Sequence, residues 1–493
     1  MSALPADPHL PAIHLRPPHN WINDPNGLVF HNGHYHVFFQ YNPHGPQHSN
    51  VHWGHFRSPD LINWEPLPVA LAPTPDGYDA DGCYSGNAVS VDDRMVAFYS
   101  AHRNDRWWQP ITTAESQDNG RTWAKRPQLL IPEPPAGTTM YRDPYVWRQA
   151  DRWRMLVGSA LDDGRAAALL YESTDMENWA YLGPFHTSDA AADTGPIGWE
   201  CPQYATFGDR SALIVSDWTP KNGPSHTTVH TGREKDGRFA ADSPPAPLDH
   251  GPDFYAPALL KAPGDDRWLL WAWAWEARDD AWAREAGWAG VLTLPREVSL
   301  TADGTVAQRP AREVLALRGA RTLHRTGHVT QAEPVELGQV SPTFDLAAAL
   351  VLDATGTTGL RLITSADGAE YLDIRLDPAA GHLTVDRSHA SLDTRARGGS
   401  YTLPFPAMKR PGSPAELRVI VDRSIAEICL ADEQVLTLRF YPLGEGPWRL
   451  QARTTGTLRS EFAVEAWDLD PAEALREPTL AGRGLAPTDC FPA

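Results

Sequence analysis

A chain of 493 residues exceeds what one ordinary hydrophobic core organises, so two domains are expected. Its 62 Asp and Glu against 43 Lys and Arg leave a net charge of −19, which excludes the basic face that nucleic acid or an anionic membrane surface requires. Cys83, Cys201, Cys429 and Cys490 are scattered without CxxC spacing, a pattern of reduced thiols rather than a disulfide framework or zinc site.

The first twenty residues lack a basic n-region and a long apolar stretch, and the longest apolar run, residues 269–275, is too short to span a bilayer. A soluble, cytoplasmic protein is expected. Trp21-Ile22-Asn23-Asp24-Pro25-Asn26-Gly27 comes next. Pro fixes φ while Asn and Gly tolerate positive φ, so Asp24 is expected on a rigid tight turn, either capping it or presented for chemistry. Asn32-Gly33 then joins a strand over residues 27–30 to one over 34–41 as a hairpin. Residues 31–55 hold seven histidines, but no partner set with zinc spacing accompanies them, and no metal site is expected.

Further along, a motif recurs. Ser58-Pro59-Asp60 leads to Trp64, Ser116-Gln117-Asp118 to Trp123, and Ser173-Thr174-Asp175 to Trp179, after 58 and then 57 residues. A period of that length filled with short strands is the mark of propeller blades. Asp163-Gly164 supplies another hairpin turn, between residues 153–160 and 166–172, and residues 231–239 are a candidate further copy. Within this region Arg142-Asp143-Pro144 and Trp199-Glu200-Cys201-Pro202 each follow a Pro/Gly-rich loop, so with Asp24 three carboxylates stand near the start of apolar strand-like runs.

These motifs resemble glycoside hydrolase family 32, the β-fructosidases: invertases, sucrose-6-phosphate hydrolases, inulinases and levanases. The resemblance runs through Phe39-Gln40-Tyr41-Asn42-Pro43, His52-Trp53-Gly54-His55, Tyr84-Ser85-Gly86, Asp253-Phe254-Tyr255-Ala256, Trp288-Ala289-Gly290 and Leu294-Pro295-Arg296-Glu297. It implies an all-β chain, a five-bladed β-propeller over residues 1–315 followed by a β-sandwich over 316–493. It also implies a retaining enzyme for terminal β-D-fructofuranosides, with a small sugar as partner and no cofactor. By the same resemblance Asp24 is the nucleophile, Glu200 the acid/base and Asp143 the stabiliser of the oxocarbenium-like transition state, with Arg142 beside the pair. Trp199 and Cys201 flank Glu200 with apolar surface, which favours its protonated form. Asn23, Gln40, Trp53, Tyr84, Ser85 and Asp253 match the implied fructose pocket, and amides and hydroxyls suit a polyol because each sugar hydroxyl both donates and accepts. Trp53 reads equally as a blade-core residue, and Trp271, Trp273 and Trp275, alternating on one strand face, read as core.

One departure stands out. In Pro46-Gln47-His48-Ser49-Asn50, many relatives carry Trp-Gly where this chain has His48-Ser49, so the leaving-group side gains a smaller, polar surface at His48. Fructosyl transfer on the same scaffold, a catalytically silent sugar binder and an inverting propeller glycosidase are the alternatives. Retention of all three carboxylates disfavours the binder, and the three motifs together disfavour the inverting enzyme.

Beyond residue 297 aromatics thin out, and alternating runs at 371–376, 416–420 and 435–440 are separated by Gly, Pro and Asp turns, which reads as a sandwich. Gln308-Arg309-Pro310 with Glu313 resembles the family's connector, and Asp422-Arg423-Ser424 with Glu427 a sandwich signature. This domain is expected to pack and shield. Helix is expected only near residues 471–476, before a loose tail.

Overall fold

The computed structural model describes residues 7–189, 195–352, 355–405 and 414–470. Cys490, the helix expected at 471–476 and the expected tail lie outside the described residues. The described chain is almost wholly β, and none of its helices is long and apolar enough to cross a membrane.

Five antiparallel sheets come first. Their opening strands are Asn20–His31, Gly82–Val91, Thr138–Gln149, Gly198–Phe207 and Tyr255–Lys261; the first four are followed in space by the strands next in sequence, and the fifth by Trp268–Ala274, Arg296–Leu300 and Val306–Pro310. These opening strands stand side by side in chain order, and the fifth also adjoins the first. An apolar layer fills every gap between sheets: Phe38 and Trp53 with Ala97, Phe98 with Met155, Leu156 with Leu213, Ile214 with Leu270, and Phe39 with Trp271. Trp288–Ala289, arriving after the fifth sheet has begun, pairs in parallel with Asn20 and Trp21 and so ties the end of this region to its beginning. This is a β-propeller.

The repeated motif is a turn at the outer ends of strands. Ser58, Ser116 and Ser173 each end the third strand of a sheet and donate to Asp60, Asp118 and Asp175, whose carboxylates accept the following backbone N–H groups. Trp64, Trp123 and Trp179 close it by donating to the carbonyl three residues back. Residues 231–239 occupy the matching place in the fourth sheet but turn through Asp236 and Gly237 at positive φ, without the Ser-Asp-Trp bonds.

One short α-helix, Asp280–Ala286, escaped the sequence reading although its signals are plain: Asp279 caps it by accepting from Trp282 N–H, and Gly287 ends it at φ 75. After a single 3-10 turn, Arg312–Leu317, two six-stranded sheets face each other over Leu346, Leu360, Ile374, Val419, Leu436 and Leu450, forming the β-sandwich.

The two regions are joined by buried ions. Arg296 Nη2 donates to Glu427 at 2.6 Å and Nη1 to Asp249 at 2.8 Å, while His14 sits between Asp422 at 2.9 Å and Glu427 at 3.0 Å. The sandwich signature therefore receives the propeller's N-terminal segment. Asp253 belongs to this seam too, because Oδ2 takes both the Arg387 guanidinium and the Arg439 N–H.

Candidate active site

Asn-Asp-Pro-Asn-Gly is not a turn. It lies inside the strand Asn20–His31, which absorbs Pro25 and the positive φ of Gly27 through two bulges, one between Ile22 and Pro25 and one between Asn26 and Val29. The same device recurs in every opening strand. Register shifts fall between Tyr84 and Gly86, opposite Leu156 and Gly158 where Asp143 lies, between Glu200 and Gln203, and between Tyr255 and Ala258. A bulge re-aims the side chain it frees. Here Asp143, Cys201 and Ala256 adopt φ of 61, 46 and 47, a region that L-residues enter only when their surroundings hold them. Cys201 N–H donates to Asp143 Oδ2 at 3.1 Å, which supplies part of that hold.

The bulges bring Asp24, Asp143 and Glu200 together, all three buried. Cys201 Sγ lies 3.6 Å from Asp24 Oδ2 and 3.6 Å from Asp143 Oδ2. Arg142 bridges the other way, Nη1 to Glu200 Oε1 at 2.9 Å and Nε to Asp143 Oδ1 at 3.4 Å. Ser85 donates to Asp24 Oδ2 at 2.5 Å, and Asn23 Oδ1 accepts the Asp24 N–H at 2.6 Å. Tyr255 donates to Glu200 Oε2 at 2.8 Å. Asp143 N–H is received by Ser100 Oγ at 2.7 Å.

Electrostatics follow from that crowding. Burial pushes the Asp24 carboxyl up to about 7, the Ser85 bond opposes this, the charges of Asp143 and Glu200 add to it, and Arg142 opposes it. Glu200 is also raised, first by burial and then by Asp143, against Arg142 and the Tyr255 hydroxyl. Burial thus raises both Asp24 and Glu200 beside the single Arg142 guanidinium, so each holds its proton more firmly than a solvated carboxyl.

The remaining sequence candidates divide. Tyr84 and Arg142 meet ring to cation at 5.4 Å, and exposed His48 stands edge-on to Trp21 at 5.0 Å and to Tyr84 at 5.8 Å, at the rim. Gln40 is one layer back, donating to Ser85 Oγ. Trp53 is no pocket wall: it is fully buried, its indole N–H donates to Tyr84 O at 3.1 Å, and its ring packs where a Cβ on Gly27 would stand. Asp253 is likewise corrected, for its carboxylate is consumed by the seam with the sandwich. From the same Asp-Phe-Tyr-Ala motif it is Tyr255 that reaches the site, and the alternation of a strand, which sets residues two apart on one face, is the signal that separates it from Phe254. Trp271 is core as expected, whereas Trp273 and Trp275 are half-buried and pack against Cys201 and Tyr255, with Trp275 stacked on the Tyr255 ring at 5.3 Å. No cluster of His, Cys, Asp and Glu among the described residues has metal-binding geometry.

A propeller whose opening strands gather three buried carboxyls and an arginine is built as a glycoside hydrolase. Residues 14–310 match the glycosyl hydrolases family 32 N-terminal domain, and residues 313–468 match the family's C-terminal domain. A sucrose-6-phosphate hydrolase of Zymomonas mobilis is 32% identical over 451 residues, covering 86% of this chain and 84% of that protein. A raffinose invertase of Escherichia coli is 33% identical, covering 90% and 91%. Among solved structures, fructan 1-exohydrolase IIa of Cichorium intybus superposes with a TM-score of 0.84 at 25% identity, covering 95% of this chain and 99% of that one. The chain belongs to glycoside hydrolase family 32.

Proposed function

We propose that the protein is a retaining β-fructofuranosidase acting on terminal β-D-fructofuranosides such as sucrose, its 6-phosphate or short fructo-oligosaccharides. The observation that carries this is the convergence of Asp24, Asp143 and Glu200 around Arg142 and Cys201. A retaining glycosidase needs a nucleophilic carboxylate and a protonated carboxyl about 5 to 5.5 Å apart. Asp24 attacks C2 as Glu200 gives its proton to the departing oxygen, which leaves a fructosyl ester on Asp24. Glu200, now ionised, takes a proton from water as that water attacks C2 and releases Asp24. Asp143 faces the sugar's hydroxyls and favours the positive charge that develops between these steps. The ring of apolar layers and the pairing of Trp288–Ala289 with the first strand support a closed propeller of five blades over residues 1–315. The sandwich domain begins at residue 316 and serves as a packing module.

Paired variants test the roles. Asp24→Asn should abolish turnover of sucrose and of an activated fructoside alike. Glu200→Gln should spare fructosylation by the activated substrate, and added azide should restore its second step. Equal loss on both substrates in Glu200→Gln, without azide rescue, would remove the acid/base assignment.

A further inference from the structure

Of the nineteen tryptophans, only Trp107 is exposed, at 53%. It lies on residues 103–110, which join strands Arg94–His102 and Ile111–Ser116. That segment is at the catalytic end, since Tyr84 pairs with Ser100 and Gly82 with His102. Both its ends are fastened to the rim: the His102 ring stacks on Tyr84 at 4.3 Å, and Gln109 N–H donates to the carbonyl of Tyr141, next to Arg142, at 3.0 Å.

The segment is braced. Arg106 Nη2 donates to Tyr78 O at 2.6 Å and Ala101 O at 3.2 Å, and Trp108 Nε1 donates to Pro132 O at 3.0 Å. Trp107 rests edge-on against Trp108 at 5.4 Å, so its apolar face is held out without further loss of freedom. From Trp21, three residues from Asp24, a shelf of rings runs through His48 and Tyr84 to His102, where the segment begins.

Hydrogen-bonding capacity is also unspent there. Gln109 Oε1, His102 Nδ1 and Arg106 Nε are buried without partners, and groups in that position call for an explanation. Because they are closed to water, pairing them takes side-chain rotation in the segment. An apolar ligand would leave them unpaired, whereas a polyol offers hydroxyls that donate and accept. Charge points to a neutral one. Arg103 is engaged by Asp105 at 2.8 Å and by Gly77 O, and Arg106 Nη2 donates to the carbonyls of Tyr78 and Ala101, so both guanidiniums of the segment are committed to the protein rather than offered to a phosphate.

We infer that residues 103–110 bind the remote sugar of a neutral oligosaccharide of three or more units, which stacks on Trp107 while the terminal fructosyl unit occupies the site at Asp24. This rests on the β-fructofuranosidase reading and deepens it by naming the substrate class.

The test measures kcat/KM of the full chain on sucrose and on a trisaccharide and a tetrasaccharide ending in β-fructosyl. Trp107→Ala should lower kcat/KM for the tetrasaccharide by about three- to tenfold, the range of one aromatic stacking contact, mainly through KM. Sucrose should be unaffected, and Trp107→Phe should restore most of the loss. Unchanged substrate ratios in Trp107→Ala, or equal losses on sucrose and tetrasaccharide, would overturn the inference while leaving the hydrolase intact. A wild-type protein that cleaves none of the three would instead refute the fructofuranosidase reading on which it stands.

Discussion

Ser85 donates its hydroxyl proton to Asp24 Oδ2 across 2.5 Å, and it has no alternative, because Gln40 already donates to the Ser85 oxygen. The bond favours the ionised carboxylate and opposes the burial that raises Asp24 to about 7. Ser85→Ala should therefore move the acid limb of kcat/KM to higher pH. Removing a hydrogen bond to a charged group costs about 1.5 to 3 kcal/mol, so activity at pH 5 on an activated fructoside should fall by about tenfold or more. A pH profile superimposable on the wild type would show that Ser85 does not govern the nucleophile.

How legible the site was depends on how each residue is held. Asp24, Asp143 and Glu200 stand in ordered motifs, and the period of the Ser-Asp-Trp turn revealed repeating units because a turn closed by local bonds must carry its own residues. The bulges were hidden. A one-residue slip changes which side chains face the axis and depends on the partner strand, so Asn-Asp-Pro-Asn-Gly reads as a turn and the motif at 253–256 does not reveal that Tyr255, not Asp253, reaches the site. Long-range pairing was equally silent, since nothing near Asp253 in sequence announces Arg387, 134 residues away. Trp273 and Trp275 follow the core alternation of Trp271 but extend past it toward the axis.

Arg296 is fully buried between Glu427 and Asp249 and also donates to Thr437. Although burial would raise Glu427, Arg296 and His14 hold it down to about 2. Arg296→Met leaves buried Asp249 without its guanidinium and Glu427 with His14 alone, which should cost about 3 to 5 kcal/mol. Urea denaturation should register the loss as a lower midpoint. A midpoint equal to the wild type would mean the seam relaxes to admit water at no cost.

His36 Nδ1 and His55 Nε2 lie 2.9 Å apart in the core of the first sheet, and the outer nitrogens of both are buried without partners. Burial holds His36 down to about 3 and His55 well below its ordinary value. A histidine depressed on folding contributes stability above its unfolded value near 6.5, and that contribution is lost as pH falls toward the folded value. Wild-type Tm should therefore decline between pH 6.5 and pH 4. Replacing both by leucine, of similar volume, removes the penalty for charging them, so His36→Leu/His55→Leu should show a flatter Tm profile over that interval. An equally steep decline would assign acid lability to other groups.

His48 stands at the rim, exposed, edge-on to Trp21 at 5.0 Å and to Tyr84 at 5.8 Å. It makes no contact with Asp24, Asp143 or Glu200 among the hydrogen bonds and ion pairs of the site, so its influence falls on what the leaving group touches. An imidazole presents less apolar face than an indole, and one aromatic contact is worth about 0.5 to 1.5 kcal/mol. Such a contact acts through differential binding of donors, leaving the bond-breaking step alone. His48→Trp should accordingly change the ratio of kcat/KM between sucrose and a longer fructo-oligosaccharide by about three- to tenfold, through RT ln of that ratio. Turnover of an activated fructoside, whose departing group makes no sugar contacts, should stay close to the wild type. Because His48 touches Trp21 and Tyr84 whereas Trp107 lies on the segment that starts beyond His102, the His48 effect should already appear with sucrose and the Trp107 effect should need the longer chain. Identical donor ratios in His48→Trp and wild type would place His48 outside the path of the leaving group.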